Sequence, residues 1–174
     1  MKTALLSALL ASILLAQTNH NTTETSKVPD IQMPDNNLSF KGIEGYQNYK
    51  VIATHFRVDK NELRYILVNS IAYQALKNGQ KPLPDGSKVV KIGWSVKKMS
   101  MWPDALEADK IQRIEYMVKD SQTFNHQGDH WGYARFIKTE NGYKAWDKGV
   151  QSCISCHSSV QENDYLFTNP QKLF

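Results

Sequence analysis

The chain has 174 residues, 41% of them hydrophobic and 22% charged, with a formal charge of +4. That length supports one domain with a real core. The positive charge is not gathered into a run of the nucleic-acid-binding type, so no nucleic-acid partner is expected.

Residues 1–16 combine a basic start at Lys2 with an apolar stretch from Ala4 to Ala16, and the composition turns polar at Gln17. This predicts a secretory signal peptide, too short for a comfortable membrane span, and therefore a periplasmic protein. Cleavage after Ala16 fits, although Leu14 is larger than the residue usual two positions earlier; an uncleaved anchor is the alternative. Residues 17–39 are rich in Asn, Thr, Pro and Asp with little apolar periodicity, and read as a flexible tether. The folded domain is expected over 40–174.

Within that domain, Tyr49–Phe56 and Glu62–Asn69 are rich in β-branched, aromatic and aliphatic residues and read as strands. Ser70 is placed to cap a short helix, Ile71–Asn78, which Gly79 stops. Lys81 to Ser87 is a turn by composition. Lys88–Val96 is strongly β-prone, 97–110 is a polar excursion, and Ile111–Lys119 and Trp131–Lys138 are further strands. A short helix is expected around Tyr143–Gly149. Four or five strands with two or three short helices predict an α+β domain built on an antiparallel β-sheet.

The chemistry is concentrated near the C-terminus, in Cys153-Ile154-Ser155-Cys156-His157. Cys-x-x-Cys-His is the pattern of covalent c-type haem attachment. Two thiols three positions apart reach the two vinyl groups of one porphyrin and form thioethers, and the adjacent imidazole is the proximal iron ligand. These are the only two cysteines in the chain. A zinc site would want four ligands, and His20, His55, His126 and His130 do not follow the pair at zinc-finger spacing. A thioredoxin-like pair would sit early in a βαβ unit. One covalent haem c per chain is the reading the motif supports. A β-rich domain with the motif at its end also differs from the class I cytochromes c and from the four-helix cytochromes c′.

The order of features then resembles a known family. Asp85-Gly86, Lys91, Glu115, Val118-Lys119-Asp120-Ser121, Trp131-Gly132-Tyr133 and Cys153 to His157 together look like the cytochrome P-460 family, which includes the β-sheet cytochromes c′-beta. The resemblance covers roughly residues 44–170. It implies that Cys153 and Cys156 hold haem, that His157 is the metal ligand, that Lys91 is cross-linked to a haem meso carbon, and that Glu115 is a distal carboxylate assisting proton transfer. It further implies hydroxylamine oxidation to nitric or nitrous oxide with a redox partner such as a small cytochrome. The c′-beta alternative is a homodimer that binds nitric oxide or carbon monoxide at a face lined by apolar aromatic residues, without catalysis.

The residues themselves bear on these roles. Alternation puts Lys91 on one strand face with Val89 and Gly93, small neighbours that would leave room for a macrocycle, and puts Val90, Ile92 and Trp94 on a core face. An ordinary solvent-side lysine is the competing reading. Glu115 shares its face with Arg113 and Met117, which suits either a haem pocket or a wet surface. Met33, Met99, Met101, Met117, His55, His126 and His130 are the candidates for a sixth iron ligand, and any of them would make the protein a periplasmic electron carrier. Phe56, Tyr65, Tyr116, Trp131, Tyr133 and Phe136 are available to line the distal pocket, with core packing as the plainer role.

Overall fold

A computed structural model of the protein describes residues 29–125 and 128–171. The expected signal peptide, the first part of the expected tether, His20 and His126 lie outside the described residues. Six strands run β1 (Lys50–Arg57), β2 (Glu62–Val68), β3 (Lys88–Lys98), β4 (Leu106–Lys119), β5 (Trp131–Thr139) and β6 (Gly142–Ala145). They form one antiparallel sheet in which strand order equals chain order. Two short helices, α1 (Ser70–Lys77) and α2 (Gln151–His157), complete it together with short 3-10 turns. The α+β expectation therefore holds, with six strands.

Period-2 alternation gives the sheet two different faces. On one, Val90, Ile92, Ile114, Tyr116 and Phe136 pack against Met33, Phe40, Ile43 and Tyr46. Phe40 stacks on Phe136 with ring centroids 4.9 Å apart. On the other face, Ile66, Val68, Met117, Trp131 and Tyr133 pack under Ala72 and Ala75 of α1, Ile154 of α2 and Leu166. Packing begins upstream of Phe40: Met33 is fully buried, and Asn36 Nδ2 donates to the Tyr133 carbonyl. The segment 29–39, expected to belong to the tether, is thus part of the domain, because its few apolar residues close the first core.

Three local expectations are corrected. Asn69 rather than Ser70 caps α1: its Oδ1 accepts from Ala72 N and Lys88 N, and its Nδ2 donates to the Gly86 carbonyl. The cap therefore also ties the helix to the start of β3. The two ends of the polar excursion, 97–98 and 106–110, are strand, and only 99–105 is loop; register shifts around Trp94 break the alternation, and the hairpin runs out into solvent, where polar side chains suffice. The helix expected near Tyr143 is instead β6, entered by a tight turn in which Thr139 faces Gly142 at φ +133°.

Candidate functional site

The sheet face under α2 floors a cavity of about 710 Å³, of the size that encloses a cofactor. Strand register sets its floor in rows. Val68, Val89, Met117 and Tyr133 face one another across four strands, then Ile66, Lys91, Glu115 and Arg135, then Arg64, Gly93 and Arg113. The floor is apolar at one end and charged from its middle outward.

In the charged rows, Lys91 Nζ meets Glu115 Oε2, and Arg135 Nε meets Glu115 Oε1. Arg113 Nε donates to Glu115 Oε1 at 3.2 Å. Glu62 closes the network, taking Arg64 Nε at 2.5 Å and Arg113 Nη2 at 2.8 Å. Four cations therefore share two carboxylates. The Lys91 contact is ionic without hydrogen-bond alignment, so Glu115 Oε2 is a buried oxygen with no hydrogen-bond donor. Burial lowers the Lys91 pKa to about 7, and like charge from Arg64, Arg113 and Arg135 adds to the effect. Arg135 is held on its other side by Trp146, whose ring lies 3.8 Å below the guanidinium carbon.

Helix α2 supplies the opposite wall. Cys153, Cys156 and His157 all line the cavity, and both cysteines are free thiols. Burial raises the Cys153 pKa, keeping it a thiol. His157 Nδ1 lies 2.7 Å from the Tyr165 carbonyl. A carbonyl can only accept, so Nδ1 carries the proton and Nε2 is the free lone pair. Burial also lowers the His157 pKa, which favours that neutral form. The rings of Tyr133 and Phe167 flank the imidazole, each with its centroid 5.1 Å away.

These residues fit the group the motif implies. Two thiols, an imidazole with one nitrogen committed to the backbone, and a cavity with one apolar end are what a covalently held haem requires. Lys91 and Glu115 enter the same cavity, so the structure brings together all five residues singled out in the sequence.

Other expectations fare differently. Gly93 does not leave open space: a Cβ there would come 3.1 Å from Glu62 Oε2 and 3.4 Å from Arg113 Cγ, so the missing side chain makes room for that ion pair. Of the sixth-ligand candidates among the described residues, only His55 and Met117 line the cavity. Met33 is in the opposite core, Met101 stands exposed in the β3–β4 hairpin, and His130 Nδ1 contacts the Phe124 carbonyl. Of the six aromatic candidates, Tyr133 points into the cavity, beside His157. Tyr116 lines it only in part, since its hydroxyl donates to the Ser39 carbonyl in the other core. Tyr65 and Phe136 also belong to that core, Trp131 is fully buried, and Phe56 is exposed on the far face. Arg64, Arg135 and the Tyr165 carbonyl were not singled out from the sequence. The two arginines sit on the cavity face by alternation, but only strand register shows that they converge on Glu62 and Glu115.

A single antiparallel sheet roofed by a helix, with a nucleophilic amine, a carboxylate and a thiol–imidazole set around one cavity, defines an α+β cofactor-binding protein. A family model, Cytochrome P460, matches residues 43–168, and the chain belongs to that family of haem-binding c-type cytochromes. A comparison with curated proteins finds no match.

Proposed function

We propose that the chain holds one haem c through Cys153 and Cys156, with His157 as axial ligand, and that it oxidises hydroxylamine at the iron's other side. When bound there, the haem would supply redox-active iron as the electron acceptor. The observation that carries the reading is the opposition of Lys91 and Glu115 inside the cavity that His157 lines. A lysine with a pKa near 7 is a competent nucleophile for the haem-edge bond that the family resemblance implies; replacing the meso C–H bond by C–N releases two protons and two electrons, which an external two-electron oxidant would have to take up. Glu115 Oε2 is paired with Lys91, and once Lys91 commits to the haem edge that oxygen would be free to take up the protons that leave hydroxylamine along with its electrons. Export by residues 1–16 to the periplasm, electron transfer to a small cytochrome, and a homodimeric assembly accompany this proposal.

A gas-binding protein of the c′-beta kind fits less well. Among the described lining residues its aromatic wall would have to come from Tyr116, Tyr133 and Phe167; Tyr133 and Phe167 lie against His157 itself, and Tyr116 sends its hydroxyl into the other core. Among the described residues, an electron carrier would need His55 or Met117 on the iron.

The test combines an optical spectrum with mass spectrometry. A red-shifted ferrous Soret band, and a peptide joining Lys91 to the Cys153–Cys156 haem fragment, are expected. Lys91→Ala should keep the haem attached and lose hydroxylamine turnover. An ordinary high-spin ferrous spectrum with full carbon monoxide binding would favour gas binding instead. A low-spin spectrum insensitive to carbon monoxide would sink both open-site readings.

A further inference from the structure

Behind His157 lies a buried polar cluster that plays no part in the reaction proposed above. Lys119 Nζ, at the end of β4, donates to Asp164 Oδ1 at 2.6 Å and to the Asp129 carbonyl at 2.9 Å. Both ionised side chains of the pair are nearly inaccessible, at 7% and 5% exposure. Asp164 Oδ2 takes Leu83 N at 2.7 Å, and the Asp164 carbonyl takes Trp131 Nε1 at 3.1 Å. Lys119 also lies 4.8 Å over the Trp131 ring. A buried ion pair of this kind gives little net stability, so its presence invites a positional reason.

The backbone supplies that reason. Asp164 and Tyr165 are consecutive non-glycine residues in the left-handed region, at φ +54° and +62°. Such residues persist only where the surroundings over-determine them. Here Asp164 is held at its carboxylate by Lys119 and Leu83, and at its carbonyl by Trp131. The left-handed pair turns the next carbonyl, that of Tyr165, onto His157 Nδ1.

We propose that Lys119 and Asp164 are positioning residues for the axial histidine. Through the left-handed Asp164–Tyr165 segment they hold the Tyr165 carbonyl on His157 Nδ1, and so set the tautomer, orientation and basicity of the iron ligand. A hydrogen bond from Nδ1–H to a carbonyl makes Nε2 a stronger donor to the metal, which favours ferric iron. The cluster thereby tunes the midpoint potential of the site from outside the cavity. The inference rests on the proposed role of His157 as iron ligand.

The experiment uses the haem-loaded protein, with Asp164→Asn and Lys119→Met as variants. Pyridine haemochrome analysis first establishes haem attachment; its absence in the unaltered protein would overturn the proposed function itself. With haem attached, each variant should show the iron–histidine stretching band of the ferrous form shifted to lower frequency and the midpoint potential shifted upward. Lys119→Arg, which keeps the charge, should restore much of both shifts. Variants that keep their haem with an unmoved band and potential would overturn the positioning role while leaving the haem reading intact. In the unaltered ferrous carbon monoxide complex, the His157 Nδ1 proton should exchange slowly with solvent; fast exchange would overturn the proposal even if neither variant folds.

Discussion

Lys91 and Glu115 face each other directly across β3 and β4, and their charged ends meet inside the cavity. The meeting is asymmetric. Lys91 has Glu115 as its close carboxylate, whereas Glu115 is also reached by Arg113 and Arg135. Glu115 would therefore keep two guanidinium partners after Lys91 commits to another bond, and it would stay in place.

That asymmetry separates the two residues in mutagenesis. Glu115→Gln keeps the shape of the site and removes the proton acceptor, so hydroxylamine turnover should fall by roughly 10²-fold, the usual yield of a positioned general base. The Lys91–haem peptide should still form. Steady-state rates together with mass spectrometry of the variant check both halves, and loss of the cross-link would show that Glu115 also serves the amine.

The Lys91 amine should report its burial through pH. In the haem-free chain its pKa of about 7 lies below the ordinary lysine value of about 10.4. Between those values the unfolded chain holds a proton that the folded chain lacks, so stability should rise with pH from about 7 to about 10. Denaturant titrations at several pH values should show this slope, and Lys91→Met should flatten it. Amine labelling should reach half its limiting rate near pH 7 at Lys91.

Breaking the Lys119–Asp164 pair on one side strands a buried charge. Lys119→Met should cost about 3–5 kcal/mol in urea unfolding. Adding Asp164→Asn to that variant should recover part of the loss, because the remaining carboxylate is then neutralised. A double variant no better than the single one would mean that the other partners of Asp164 dominate.

Gly132 explains part of the Trp-Gly-Tyr pattern. It lies in β5 on the face opposite the cavity, where a Cβ would come 2.4 Å from Phe124 Cε2 and 2.9 Å from a Leu38 methyl. Gly132→Ala should therefore cost about 1–3 kcal/mol through overpacking. Thermal unfolding reads the loss, and the haem spectrum should be unchanged because the collision is on the far face.

Much of the site was legible because it depends on short-range spacing. Cys153, Cys156 and His157 lie within one helical stretch, and the two faces of β3 follow from alternation alone: Val90 and Ile92 are indeed core, and Lys91 does face the cavity. What stayed hidden was register. Nothing local in the sequence says that Arg64 lies in the row of Gly93 and Arg113, or that Arg135 lies in that of Lys91 and Glu115. Gly93 was misread for the same reason, since its role is set by a glutamate on another strand. The hairpin to β6 was missed although Asn141-Gly142 is a turn signal, because the aromatic residues after it suit a helix equally well. The Tyr165 carbonyl could not be found from side chains at all, since backbone groups carry no residue-type signal.

The order of the sheet has a consequence for assembly. Each strand pairs only with its neighbours in sequence, so no pairing waits for a distant part of the chain, and the loop-closure entropy at each addition stays small. The helix bearing Cys153, Cys156 and His157 comes after all six strands. The floor of the cavity can thus be laid down while that helix is still undocked and its thiols remain accessible. Closing the helix over a macrocycle would then complete the domain, leaving the sheet unopened by cofactor loading.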